Sequence, residues 1–99
     1  MSRKFDYLGD VEVFITVVEH GSFTAAAVVL STTPSVLSRA VSRLEARLGR
    51  QLLQRTTRRV GLTEAGRVYL EQARSAFALL DDAEREGRGQ EGDLTGRVR

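Results

Sequence analysis

Between residues 23 and 48 the chain allows little choice of fold. Phe23–Leu30 read as a short helix, Ser31–Thr33 as a tight turn and Pro34–Leu48 as a second helix. Thr33 carries a hydroxyl suited to capping that second helix, and Pro34 suits its first position. Gly49 stands where a left-handed residue ends a helix. Within it, Leu37, Val41, Leu44 and Leu48 recur at steps of four, three and four, which makes one apolar stripe. At about 100° per residue, Ser35, Arg39, Ser42 and Ala46 fall opposite the stripe, with Ser38 and Arg43 on its flanks. Two helices joined by a three-residue turn, the second with a leucine seam and a hydroxyl-and-guanidinium face, predict a helix-turn-helix.

Charge adds a direction. The formal net charge is +2, but residues 21–59 carry seven arginines (39, 43, 47, 50, 55, 58 and 59) against the single acid Glu45, a local +6. Residues 1–20 and 60–99 are each net −2. The excess therefore coincides with the helix-turn-helix and the segment after it, and every cation there is arginine, whose planar fork suits phosphate and guanine. The chain has 99 residues, 41% of them hydrophobic, enough for one modest helical core. It has no cysteine, so no disulfide, thiolate metal site or thiol nucleophile is available, and no metal or cofactor is expected. With one histidine and no apolar carboxylate cluster, an enzyme is not expected either. No apolar run matches a membrane span or a signal core, which reads as a cytoplasmic, bacterial-type protein with no membrane partner.

Residues 6–20 predict a first helix, with Asp6 as its cap and Leu8, Val11, Phe14, Ile15 and Val18 on a buried face. Gly9 weakens its first turn, and His20 and Gly21 end it. Ser22 is placed to cap the next helix, where Ala25, Ala26 and Ala27 allow a close crossing. Ser22 and Thr24 at that N-terminus also suit a phosphate. Gln51–Arg55 and Val60–Leu62 are short enough to pair as a hairpin around the tip Thr56-Thr57-Arg58-Arg59, which holds no acid. Such a hairpin beside the second helix of the motif would be a wing. Thr63 then caps a long helix from Glu64 to about Glu86. On it Tyr69, Ala73, Ala76, Leu80 and Ala83 follow a four-three-four-three spacing, widened by Leu70, Phe77 and Leu79. A seam of period 3.5 predicts pairing with a second copy, and packing back onto its own domain is the competing arrangement. From residue 87 onward, glycines alternate with charges as in a flexible linker.

These residues resemble the N-terminal DNA-binding domain of LysR-type transcriptional regulators. The resemblance runs from about Leu8 to Gly66. It is carried by Phe14, Val17, Gly21-Ser22-Phe23, Ala26-Ala27, Leu30, Pro34, Ser38, Leu44-Glu45, Leu48-Gly49, Arg55 and Leu62-Thr63-Glu64-Ala65-Gly66. Leu53 departs from the phenylalanine more usual in the family, a change under the wing. The resemblance implies a mainly α fold, a winged helix-turn-helix with a three-helix core and a small β-hairpin, followed by a long helix that dimerises antiparallel. It implies DNA contacts from Thr33, Pro34, Ser35, Ser38, Arg39 and Ser42, and wing contacts from Arg55 and the Thr56–Arg59 tip. It further implies a larger effector-binding domain from about Leu94 onward, to which a small-molecule effector would belong, and a tetramer as a plausible state of the full-length protein.

The expected organisation is thus residues 1–63 as the DNA-binding domain, with the helix-turn-helix at 23–48 and the wing at 51–63. Residues 64–86 form the linker helix and 87–99 a hinge. The expected function is sequence-specific binding of double-stranded DNA by a homodimer on an interrupted palindrome, with helix 34–48 in the major groove. The candidate DNA-facing set is Ser22, Thr24, Thr32, Thr33, Pro34, Ser35, Ser38, Arg39, Ser42, Arg43, Arg55, Thr56, Thr57, Arg58, Arg59 and Thr63. The candidate dimer set is Tyr69, Ala73, Ala76, Phe77, Leu80 and Ala83. The rival is a winged-helix module that binds an acidic protein. The recognition face argues against it, since a serine and arginine surface without an exposed large apolar residue offers no hot spot.

Overall fold

A computed structural model describes residues 4–55 and 59–89 of the chain. The order of elements is α1 (Leu8–His20), α2 (Phe23–Leu30), α3 (Pro34–Leu48), β1 (Leu53–Arg55), β2 (Val60–Leu62) and α4 (Glu64–Gly89). The two strands pair antiparallel, with Leu53 opposite Leu62, Gln54 opposite Gly61 and Arg55 opposite Val60. At 1.5 Å per residue the 26 residues of α4 extend for about 39 Å. This helix accounts for an elongated molecule of 54 × 29 × 27 Å.

Local chemistry sets the boundaries. The Ser22 hydroxyl accepts from Ala25 N at 3.0 Å, Thr33 from Val36 N at 3.3 Å and Thr63 from Gly66 N at 2.9 Å. All three caps span three residues, and each satisfies a backbone donor that the helix leaves open. Gly49 ends α3 at φ 69°, in the left-handed region that glycine enters without strain. The turn after α2 takes Ser31 to φ 57°, and Thr32 N donates to Ala27 O at 3.0 Å. The α2–α3 turn is therefore left-handed at a residue other than glycine.

All four helices and the root of the hairpin share one core. Phe14, Val17 and Val11 come from α1, Ala26 and Ala27 from α2, and Leu37, Val41 and Leu44 from α3. Leu52 and Leu53 close it from the hairpin side, and Leu70 and Ala73 from α4. Leu53 is fully buried, so leucine fills the space under the wing. Gly66 is where α4 meets the hairpin. A Cβ on it would lie 2.0 Å from the Leu52 carbonyl oxygen, so only glycine lets the two backbones approach.

Several expectations need correction. α1 begins at Leu8 rather than Asp6, and its N-cap is Tyr7, with no side-chain cap. Leu8 is 37% exposed while Val17 is buried, because the inner face of α1 is centred on Phe14 rather than on its first turn. Leu48 is also 37% exposed, and Ala40 takes a place on the buried side of α3. α4 continues to Gly89, three residues beyond the expected end, so 87–89 are helical rather than hinge. The remainder of the expected hinge lies outside the described residues.

The linker-helix seam divides. Ala73 is buried, and Tyr69 and Phe77 pack against the chain's own core, with the Tyr69 ring 5.9 Å from that of Phe14. Ala76, Leu80 and Ala83 are exposed. The first half of the helix is thus a fourth wall of the domain, because a heptad spacing fixes which side is apolar without fixing what covers it.

Candidate nucleic-acid interface

The outer row of α3 stands as its helical phase requires. Pro34, Ser35, Arg39, Ser42 and Ala46 are exposed, and Leu37, Val41 and Leu44 are buried behind them. No hydrogen bond or ion pair among the described residues engages the Arg39 guanidinium. Val36, 43% exposed, adds an apolar group to this face where none was expected.

Ser38 is half-buried and meets the wing. Its hydroxyl accepts from Arg55 Nη1 at 2.8 Å. The Arg55 guanidinium also lies 4.9 Å from the centre of the Phe23 ring and 3.9 Å from a carboxylate oxygen of Glu45. Phe23, Pro34, Ser35, Ser38, Arg55 and Val60 line one shallow groove between the start of α3 and the hairpin. Arg55 is therefore a brace between strand and helix, with its fork at the groove's edge.

Glu45, the lone acid of the basic segment, carries a role the sequence did not reveal. One of its oxygens accepts from Leu52 N at 2.8 Å and Leu53 N at 3.1 Å, while the other faces Arg55. A carboxylate on α3 thus ties down the strand that leads into the wing. Its isolation among seven arginines was the available signal, since an acid in such surroundings has a reason to be there.

The expected cations differ in their freedom. Arg43 is bound by a bidentate pair to Asp10 of α1, Nε to Oδ2 at 3.1 Å and Nη2 to Oδ1 at 2.9 Å. That hydrogen bonding first, and the carboxylate's charge second, raise the guanidinium's pKa above its ordinary value. Arg47 lies 3.9 Å from the centre of the Tyr7 ring and donates to the Lys4 carbonyl at 3.4 Å. Of the expected DNA-facing set, Arg43 thus has its fork matched to a carboxylate of α1. Thr63 is engaged as well. Its hydroxyl donates to Gln51 O at 2.6 Å while accepting from Gly66 N, so its one proton is committed internally.

Ser22 and Thr33 differ from Thr63 in that their hydroxyls accept in the caps and keep a proton to donate outward. Thr24 is exposed in the first turn of α2 and Thr32 half-buried in the turn before α3. Arg59 is exposed at the start of β2 and has interactions of its own. The wing-tip residues Thr56, Thr57 and Arg58 lie outside the described residues. Pro34, Ser35 and Ser38 thus share the groove with Arg55, and Arg39 and Ser42 continue the exposed row along α3. No helix among the described residues is long and apolar enough to cross a membrane.

Comparison with known proteins places this architecture. Residues 8–67 match the family described as bacterial regulatory helix-turn-helix protein, lysR family. An HTH-type transcriptional regulator of Xanthomonas campestris pv. campestris (strain 8004) is 52% identical over 77 residues, 78% of this chain and 22% of that protein. The BenM_DBD chain in its complex with catB site 1 DNA superposes with a TM-score of 0.80 at 33% identity, covering 86% of this chain and 91% of that one. The CbnR_DBD chain in its DNA complex gives 0.78 at 33% identity, covering 88% and 99%. The chain spans between 22% and 30% of the length of the first curated relatives it matches. A match over 60 residues that runs from α1 through both helices of the motif and the hairpin into α4 leads to one conclusion: the chain belongs to the LysR family of bacterial regulatory helix-turn-helix proteins.

Proposed function

We propose that the chain binds double-stranded DNA in a sequence-specific manner as the DNA-binding part of a LysR-type transcriptional regulator, with α3 in the major groove and the wing on the backbone or in the minor groove. The observation that carries this reading is the exposed row Ser35, Arg39, Ser42 on α3, which holds an unengaged guanidinium beside an arginine-bearing hairpin. Two structural neighbours of the same architecture, BenM_DBD and CbnR_DBD, are in complex with DNA, which supports it. Arg39 is the residue for direct readout, since a bidentate pair with guanine is worth about 1–3 kcal/mol of discrimination. Val36 can contact a thymine methyl. Arg58 and Arg59 set affinity through phosphates, each neutralised phosphate steepening the salt dependence by about 0.9 in log–log slope.

The exposed Leu79, Leu80 and Ala83 of α4 support a homodimer through the distal half of that helix. The trough lined by Tyr7, Leu8, Val11, Ala73, Ala76 and Leu80 extends this apolar surface toward α1. A dimer would set two recognition helices in successive major grooves of an interrupted palindrome, about one helical turn apart. A tetramer, a small-molecule effector held by a further domain, and action at the nucleoid in the cytoplasm rest on the family alone. The organisation we infer is a DNA-binding domain to about residue 63, followed by the linker helix.

Selection of bound duplexes from a random pool tests the function directly and yields half-site, spacing and symmetry. On a recovered site, Arg39→Ala should lose discrimination between matched and scrambled duplexes. Arg58→Ala should weaken both about equally and flatten the salt slope by about 0.9. Equal losses from both variants in anisotropy titrations would overturn the division of roles.

A further inference from the structure

We propose that Asp10 is an affinity-limiting residue, whose carboxylate withholds the Arg43 guanidinium from the duplex and so holds down sequence-independent binding. The inference rests on the duplex-facing role of α3 proposed above. Arg39, Arg43 and Arg47 follow each other at four-residue steps on that helix. Four residues exceed one turn by about 40°, so the row rotates from the outer face toward α1. The first of the three is unengaged, the second is held by Asp10, and the third is held by Tyr7 and the Lys4 carbonyl. The segment from Lys4 to Asp10 therefore draws back both arginines that follow Arg39.

Burial does not hold Arg43 there. Its side chain is 62% exposed, whereas that of Asp10 is 18% exposed and uses both oxygens on the fork. Asp10 is also fixed in place, one residue before the buried Val11 on a helix anchored by Phe14, while Arg43 has a long flexible stem. Removing the carboxylate's charge therefore frees a guanidinium one turn along the helix from Arg39. Phosphates line a duplex whatever its sequence, so a freed cation strengthens binding to any DNA. With the pair closed, Arg43 and Asp10 together add no net charge to the face.

The test is a thermodynamic cycle on the full chain, read by fluorescence anisotropy on a mixed-sequence duplex over a series of salt concentrations, with circular dichroism melts confirming each fold. Asp10→Asn should tighten binding about eightfold at about 0.1 M salt and steepen the log–log salt slope by about 0.9, the value of one phosphate. Arg43→Ala bares the Asp10 carboxylate and should weaken binding, whereas the double variant keeps the closed pair's zero net charge and should stay within about twofold of the parent. Unchanged binding in Asp10→Asn would overturn the proposal, as would a gain that persists in the double variant, which would trace to lost carboxylate repulsion alone. A marked loss in the double variant would also overturn it by showing Arg43 already on phosphate. Failure of the parent chain to bind any duplex at low salt would overturn the DNA-binding reading itself, and this proposal with it.

Discussion

Gly66 meets the Leu52 carbonyl so closely that a methyl group has no room, the nearest backbone oxygen standing 2.0 Å from where a Cβ would lie. Gly66→Ala should therefore force α4 off the hairpin and destabilise the chain by about 1–3 kcal/mol, as overpacking does. In a thermal melt this is a fall of about 4–8 °C per kcal/mol for a domain of this size. Glu45 gives a second prediction. Glu45→Ala leaves the Leu52 and Leu53 amides without their acceptor and should cost about 2 kcal/mol in denaturant unfolding. Glu45→Gln keeps an oxygen for both amides and should lose less than half as much. The hydroxyls of Ser22, Thr33 and Thr63 were readable as caps because each acts on an amide three residues along. The Asp10–Arg43 pair joins residues 33 apart, and the Glu45 carboxylate reaches seven and eight residues ahead across a turn. Such partners exist only once the fold has formed, and no local pattern announces them.

Among the elements, α3 followed its pattern most closely, since capping residue, proline, leucine spacing and terminal glycine all pointed to the same bounds. The hairpin was readable from its lengths and the arginine-rich stretch between its arms. α4 was readable as a helix but not in its assignment of partners. The same apolar side serves the domain through Leu70 and Ala73 and opens to solvent at Leu80. Leu80 is 55% exposed, so Leu80→Asp should leave the thermal melt of the domain nearly unchanged. By sedimentation the variant should be monomeric, with weakened binding to a two-half-site duplex. A persisting dimer would remove the distal half of α4 from the interface.

For the molecule as a whole, the charge asymmetry acquires a spatial meaning. The basic segment forms α3 and the hairpin, while the acids of the first twenty residues lie on α1 and its approach. There Asp10 meets Arg43, and Glu19 meets Arg74 of α4 at 3.5 Å. One acidic helix thus tempers the recognition helix on one side and steadies α4 on the other. The close seat of Gly66 on Leu52 has a mechanical consequence. α4 is seated on the core from Gly66 through Phe77, so only the arm beyond Phe77 projects from the domain. A load on that arm therefore bears first on the packing that the helix shares with Leu52 and Leu53 beneath the wing.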